Sequence, residues 1–323
     1  MRAMVFDHHG GPEVMNLRDV PIPEPQDGEL LVRVGYAGVN PSDSKARSGK
    51  SARALPFVTG MDAAGVVERT GSNVNGFRPG DRVITWSAAD RKTWGSYAEF
   101  MRVPAKNVSP MPNSLNFAQA AAVPVASLTA FQALFQAESG GLIPGQQVLI
   151  HGAAGGVGSF AVQFAKSGGL VVAATCGTAN LPHVRSLGAD RVIDYKTEDI
   201  CRAVRDWSGE GIDVVVDAVG PATLPEVLDI LRPGGRLVSI LTGTADGDIE
   251  RDRKEAEARG FHKIGFRIDF DRARDSMREI INLIDRGLVQ VPPIEVLPLE
   301  DAARAHQIIE TGYVRGKLVL KVA

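Results

Sequence analysis

Cysteine is almost missing from this chain: Cys176 and Cys201 are the only two in 323 residues. Two thiols cannot build a disulfide framework, and no Cys-x-x-Cys pair offers a structural zinc site. Such usage fits a reducing compartment, so a cytoplasmic location is expected. An excess of one charge sign is lacking too. Lys and Arg number 36 against 38 Asp and Glu, a net charge of −2. Without a basic surplus, neither nucleic acid nor an anionic membrane is the expected partner. Long hydrophobic runs are absent. The most apolar stretch, 117–135, is interrupted by Gln119, Pro124 and Gln132 and reads as a buried helix, not a membrane span. Met1-Arg2-Ala3-Met4 opens no signal-type apolar segment. There is no internal repeat and no low-complexity tract. His8, His9, His151, His183, His262 and His306 show no H-x-x-x-H spacing, and no G-x-S-x-G elbow marks a serine hydrolase.

What is present in abundance is glycine, 35 of 323 residues, which asks for tight turns or close backbone approach to a ligand. Hydrophobic residues at 44% and charged residues at 23% are ordinary for a globular protein with a sizeable core. The length suggests two domains. The first third reads as β-rich. A strand is predicted over 2–6 and another over 29–36, where Val32, Val34 and Tyr36 alternate with Arg33. Turn signals recur at Gly10-Gly11-Pro12, Gln26-Asp27-Gly28 and Arg78-Pro79-Gly80-Asp81, which predicts a barrel-like or irregular β domain.

The grammar changes at Gly140-Gly141-Leu142-Ile143-Pro144-Gly145. Strands are predicted over 147–150, 170–175, 191–194, 213–216 and 236–240, alternating with helices over 156–167, 181–187, 199–207 and 224–231. This is the β-α-β pattern of a doubly wound parallel sheet. The mixed-charge run 250–259 reads as a solvated helix. A further strand is predicted over 264–268, helices over 273–284 and 300–309, and a last strand over 317–322.

The sharpest local signal is His151-Gly152-Ala153-Ala154-Gly155-Gly156-Val157-Gly158, between an apolar strand and an amphipathic helix. Gly155, Gly156 and Val157 would bring backbone N–H groups to a pyrophosphate at a helix N-terminus, and Gly158 would let the helix pack on its strand. The spacing is G-x-x-G-x-x-G; its strand-loop-helix context gives it weight. At the end of the next strand an NAD site usually carries Asp or Glu for the ribose 2′-hydroxyl. Here the residues are Thr175-Cys176-Gly177-Thr178, without a carboxylate. Thr175, Gly177, Thr178, Arg185 and Tyr195 are therefore candidates to surround a 2′-phosphate, and NADPH is expected over NADH.

Several segments, taken in order, resemble the medium-chain dehydrogenase/reductase superfamily, in its zinc-independent quinone oxidoreductase branch, and are most similar to alkenal/enone reductases. They are Gly38-Val39-Asn40-Pro41-Ser42-Asp43-Ser44-Lys45, Gly60-Met61-Asp62-Ala63-Ala64-Gly65-Val66-Val67, Pro79-Gly80-Asp81-Arg82-Val83, Gly95-Ser96-Tyr97-Ala98-Glu99, Ala153 to Gly158, Leu187-Gly188-Ala189-Asp190 and Gly316-Lys317-Leu318-Val319. The resemblance covers essentially the whole chain. It implies an α/β protein: a GroES-like β-rich catalytic domain, residues 1–122 and 270–323, and a Rossmann domain with a doubly wound parallel sheet, residues 123–269, with the active site in the cleft.

Zinc alcohol dehydrogenases of the superfamily carry Cys where Asn40 stands and His where Met61 stands. Asn and Met are poor zinc ligands, so no metal is expected and alcohol oxidation loses its Lewis acid. The resemblance instead implies hydride transfer from NADPH to a quinone, enone or enal. Such acceptors gain from a hydrogen-bond donor at the carbonyl oxygen. Asn40 and Lys45 are the candidates for that role, with Asp43 orienting its neighbours and Met61 and Asp62 lining the acceptor site. The family pattern adds cofactor contacts at Thr129, Val219, Leu241, Thr242, Phe266, Ile268 and Lys317. It also implies a homodimer paired through the strand at 264–268. An enoyl-thioester reductase and a catalytically silent NADPH-binding protein are the alternatives.

Overall fold

The structure, a computed structural model, describes residues 1–51, 54–86, 94–136, 141–224, 226–240 and 253–323. The chain divides into two compact units. One contains Met1–Ala126, Phe270–Arg286 and Val291–Ala323; the other contains Ser127–Asp269 and Gly287–Gln290.

The first unit is built on the ten-residue strand Glu29–Gly38. Val32 and Val34 are buried while Arg33 between them is exposed, as alternation requires. One edge of this strand pairs with Asp62–Thr70. The other is shared, Phe100–Pro104 taking its first half and Lys317–Lys321 its last residues. Two register shifts against Asp62–Thr70 bend the long strand, the usual effect of bulges. The full seven-stranded sheet runs Ile294–Pro298, Lys317–Lys321, Glu29–Gly38, Asp62–Thr70, Arg82–Trp86, Val108–Pro110, with Phe100–Pro104 off that path. A small sheet of Asn16–Asp19, Arg2–Phe6 and Phe57–Val58 closes over the same core, which includes Phe6, Leu30, Tyr97, Met101 and Leu318. The barrel-like β reading of this region is what the sheet topology delivers.

Immediately after the long strand, Asn40 caps the short helix Pro41–Arg47, with Pro41 at its first position. Gly38 permits this junction. A Cβ there would lie 2.4 Å from the carbonyl oxygen of Ala121. The stretch predicted as one buried helix is two, Phe117–Ala121 and Pro124–Phe135. Pro124 has no amide hydrogen to continue the first helix, and it opens the second. Among the described residues no helix is long and apolar enough to cross a membrane.

The second unit holds a six-stranded sheet, in spatial order Arg191–Asp194, Val171–Cys176, Gln147–His151, Ile212–Asp217, Leu231–Ser239, His262–Gly265. Every pairing is parallel. Numbered along the chain, the order is 3-2-1-4-5-6, that of dinucleotide-binding α/β domains. Two local expectations need correction. The helix expected over 224–231 is a single 3-10 turn, Val227–Ile230. Leu231 already opens a strand, pairing with Ile212 across an irregularity that accommodates Pro233, Gly234 and Gly235. The strand expected over 264–268 lies at His262–Gly265. Residues 253–258 are helical within the charged run.

Candidate functional site

In the second unit the strand order reverses between Gln147–His151 and Ile212–Asp217. Loops leaving the carboxyl ends of two such strands diverge, and ligands of open α/β sheets bind in the resulting crevice. Gly155 caps the helix Gly156–Ser167 with no side-chain cap bond, so the first-turn amides remain available to an anion. Gly155, Gly156 and Val157 are all half-buried at this point. Gly158 has to be glycine, because a Cβ would stand 2.2 Å from the Gly152 oxygen. Across the crevice, buried Asp217 accepts the amides of Val219 at 2.9 Å and Gly220 at 2.8 Å. The Val219 side chain then lies against the glycine loop, where it would meet any Cβ placed on Gly152 at 2.7 Å.

His151 ties these loops together. Its Nδ1 is 2.8 Å from the Thr175 hydroxyl and its Nε2 is 2.9 Å from that of Thr223. Thr223 donates to the Gly220 oxygen at 2.8 Å, and Thr175 accepts the Gly152 amide at 3.0 Å. Each hydroxyl has one hydrogen, which sets the direction of the file: Nε2–H donates to Thr223, and Nδ1 accepts from Thr175. Burial lowers the imidazole pKa and favours this neutral form, against the pull of Asp217.

The residues expected around the ribose are arranged differently from one another. Thr175 is fully buried and spends its hydroxyl on His151 and Gly152. Gly177 is half-buried at the start of a 3-10 turn. Thr178 donates to Asp194 Oδ2 at 2.6 Å. Arg185 is exposed, Tyr195 is 39% exposed, and the Lys196 ammonium lies 5.3 Å above the Tyr195 ring. The Cys176 thiol is pushed up to about 11 by burial and by Asp194, with Arg185 opposing. The sequence shows no carboxylate after Val171–Cys176, yet one is there. Asp194 ends the neighbouring strand and pairs in register with Cys176. The Thr178 bond, with the Lys196 amide at 3.0 Å, holds its carboxyl below the ordinary range.

Thr129 is half-buried in Pro124–Phe135. Phe266 is buried beyond the last strand, its amide donating to the Ser239 oxygen at 2.8 Å, and Ile268 is half-buried. Leu241 and Thr242 lie outside the described residues.

In the first unit, Asn40, Asp43, Asp62 and Lys317 converge in one buried cluster. Asn40 Nδ2 donates to Asp62 Oδ2 at 2.9 Å, and Lys317 Nζ donates to Asn40 Oδ1 at 2.6 Å and to the Val39 oxygen at 2.9 Å. Lys317 Nζ is 3.6 Å from Asp62 Oδ2. The Val125 amide donates to Asp62 Oδ1 at 2.9 Å. Asp43 Oδ2 accepts the Asn40 amide at 2.8 Å, and its Oδ1 accepts the Thr59 hydroxyl at 3.3 Å. Burial, helped by the Asp62 charge, raises the Asp43 carboxyl to about 7. Asp62 is likewise raised by burial, against the pull of Lys317 and Asn40, and burial lowers Lys317 against the pull of both carboxylates.

Lys45, two residues past Asp43, is half-buried. Burial and the neighbouring Lys50 lower its pKa. Met61 is half-buried, and its sulfur accepts from the Ser42 hydroxyl at 3.3 Å. Sequence reasoning assigned no role to Thr59, nor to Tyr97, whose hydroxyl is 3.3 Å from His306 Nε2. Tyr97 sits in the family segment Gly95-Ser96-Tyr97-Ala98-Glu99, but nothing in the spacing of that segment marks its hydroxyl.

Residues 26–113 match the alcohol dehydrogenase GroES-like domain and residues 187–320 the zinc-binding dehydrogenase family. Quinone oxidoreductase of Rattus norvegicus is 34% identical over 99% of this chain and 97% of its own length. The chloroplastic NADPH-dependent alkenal/one oxidoreductase of Arabidopsis thaliana is 34% identical over 99% of this chain and 79% of its own. The Escherichia coli quinone oxidoreductase solved with NADPH is 30% identical, covers 99% of this chain and 100% of its own, and superposes with a TM-score of 0.86. With a dinucleotide-type sheet in one unit and a GroES-like barrel in the other, the chain belongs to the medium-chain dehydrogenase/reductase superfamily, in its quinone oxidoreductase and alkenal reductase branch.

Proposed function

We propose that the protein is an NADPH-dependent reductase that delivers hydride to a quinone or an α,β-unsaturated carbonyl without zinc. The observation that carries this reading is Asn40, a neutral amide bonded to Lys317 and Asp62 at a position where zinc enzymes of the superfamily have a cysteine. The zinc implied by the description of the 187–320 family does not fit the donor set. Asn40 and Met61 are poor ligands, and among the described residues no group of three or more His, Cys, Asp or Glu could hold a metal. No step is routed through a metal.

The dinucleotide does fit. The uncapped amides after Gly155 would take the pyrophosphate, with Val219 beside the loop, and Arg185, Tyr195 and Lys196 would face a 2′-phosphate. NADPH, when bound, supplies the hydride. Asn40 and Lys45 then supply hydrogen-bond donors to the acceptor's carbonyl oxygen as it gains charge, and Lys45 is the group that can pass on a proton. An acceptor that is already electrophilic needs no stronger acid. The protein is a homodimer in this reading, and its two free thiols suit a cytoplasmic setting.

The test is NADPH oxidation, followed at the nicotinamide absorbance, with benzoquinone-type and short alkenal acceptors side by side and NADH in parallel. Turnover is expected with one acceptor class, faster with NADPH, and undiminished after dialysis against a chelator. Cofactor binding without turnover on either class would hand the chain to the enoyl-thioester or silent-binder readings.

A further inference from the structure

The Asn40 amide cannot choose its orientation. An ammonium only donates and an ionised carboxylate only accepts. Lys317 Nζ is 2.6 Å from one terminal atom of the amide and Asp62 Oδ2 is 2.9 Å from the other. The first atom must be oxygen and the second nitrogen. A flipped amide would set N–H against N–H and oxygen against oxygen. Water cannot relieve that clash, since Asn40, Asp62 and Lys317 are 4%, 0% and 5% exposed.

The lock is itself anchored to backbone. Lys317 Nζ donates to the Val39 oxygen at 2.9 Å, and Asp62 Oδ1 accepts the Val125 amide at 2.9 Å. Lys317 Nζ donates to Val39 and Asn40, and its charge faces Asp62 Oδ2 at 3.6 Å, an ion-pair distance. The ammonium is thus engaged inside the buried cluster, whereas the family pattern implies a cofactor contact for this lysine. Asn40 Nδ2, by contrast, spends one hydrogen on Asp62, and among the described residues no hydrogen bond uses its second.

We propose that Lys317 and Asp62 are positioning residues that fix the Asn40 amide so that its second Nδ2 hydrogen is presented as a donor to the reacting carbonyl. This rests on the reductase reading above, in which Asn40 is the donor. The ion pair does no chemistry on the acceptor. It removes the flipped state of the amide, in which a carbonyl oxygen would face the developing negative charge.

Three measurements on the full chain test it. The first is NADPH affinity without acceptor, by nucleotide fluorescence. The second is kcat in a cycle of Lys317→Met, Asn40→Ala and their combination. The third is the NMR of the Asn40 side-chain amide, assigned by its loss in Asn40→Ala. Lys317→Met is expected to lower kcat on the order of tenfold or more, up to the roughly 10²–10³-fold of a lost oxyanion donor, and to leave NADPH affinity within about twofold. In the Asn40→Ala background it should add nothing to the loss. The Asn40 amide should show one Nδ2 hydrogen strongly protected from exchange in the unsubstituted protein.

Weakened NADPH binding at unchanged kcat would make Lys317 a cofactor contact and overturn the proposal, as would additive losses in the cycle. If Lys317→Met alone does not fold, Lys317→Met/Asp62→Asn removes both charges together and takes its place in the cycle. Should no acceptor be turned over at all, the reductase reading falls. The exchange measurement still decides the lock, because two equally unprotected hydrogens would refute it.

Discussion

Asp43 keeps its proton at a pH where most aspartates have lost theirs. Burial, with repulsion from Asp62, lifts its carboxyl from an ordinary value near 4 to about 7. Between those values the folded chain binds the proton and the unfolded chain does not. The stability this contributes is complete below pH 4 and is lost as the pH rises through 7. At about 1.4 kcal/mol per pKa unit, the wild type should lose about 2–3 kcal/mol relative to Asp43→Asn between pH 5 and pH 8. Denaturant melts at the two pH values check this, and parallel curves would mean that Asp43 is ionised throughout. Its neighbour Lys45 is expected to act on turnover instead. Lys45→Met should lower kcat far more than NADPH affinity, measured by steady-state kinetics beside a fluorescence titration. Unchanged kcat would strip Lys45 of its role. Asn40, Asp43 and Lys45 were legible as a motif because they share one strand-to-helix junction. What Lys317 does was not, since its partner Asn40 lies 277 residues away and no local pattern encodes that contact.

Elements with a strong period were readable in advance. The helix Gly156–Ser167 and the strand Arg191–Asp194 fall where the pattern put them, because a glycine loop or a β-branched run marks their ends. The misreading at 224–231 came where a hydrophobic run runs into Arg232-Pro233-Gly234-Gly235, and pairing with Ile212 outweighs helical spacing. The ribose end shows how pairing between elements alters a functional reading. Asp194 was invisible as a neighbour of Thr178 until the parallel register set it opposite Cys176. Its charge, kept on by Thr178 and the Lys196 amide, disfavours a 2′-phosphate nearby. Asp194→Asn is therefore expected to raise the NADPH-over-NADH preference in kcat/KM on the order of fivefold, about 1 kcal/mol. Arg185→Ala should move it the other way. If neither substitution changes the ratio, the 2′-phosphate is held elsewhere.

At the scale of the whole molecule, the two outer strands of the parallel sheet differ in which edge groups the described side chains occupy. The edge at Arg191–Asp194 is capped by its own side chains. Glu198 Oε1 takes the Asp194 amide at 2.9 Å, and the Arg191 guanidinium donates to the Val192 oxygen at 2.9 Å. Side chains that occupy backbone groups in this way block edge-to-edge pairing. At the other edge, His262–Gly265 pairs inward with Leu231–Ser239. The Phe266 amide also turns inward, to the Ser239 oxygen at 2.8 Å, so alternation directs the Gly265 amide outward. Gly265 itself is exposed. A two-fold dimer extending the sheet across this edge would use that amide in its ladder. Proline at 265 removes the donor and leaves the inner ladder intact. If the protein is the dimer proposed above, Gly265→Pro should run as a monomer in light scattering coupled to size exclusion, with an unchanged far-ultraviolet circular dichroism spectrum. A folded Gly265→Pro that stays dimeric would move the interface off this strand, and since the opposite edge is already capped, off the sheet altogether.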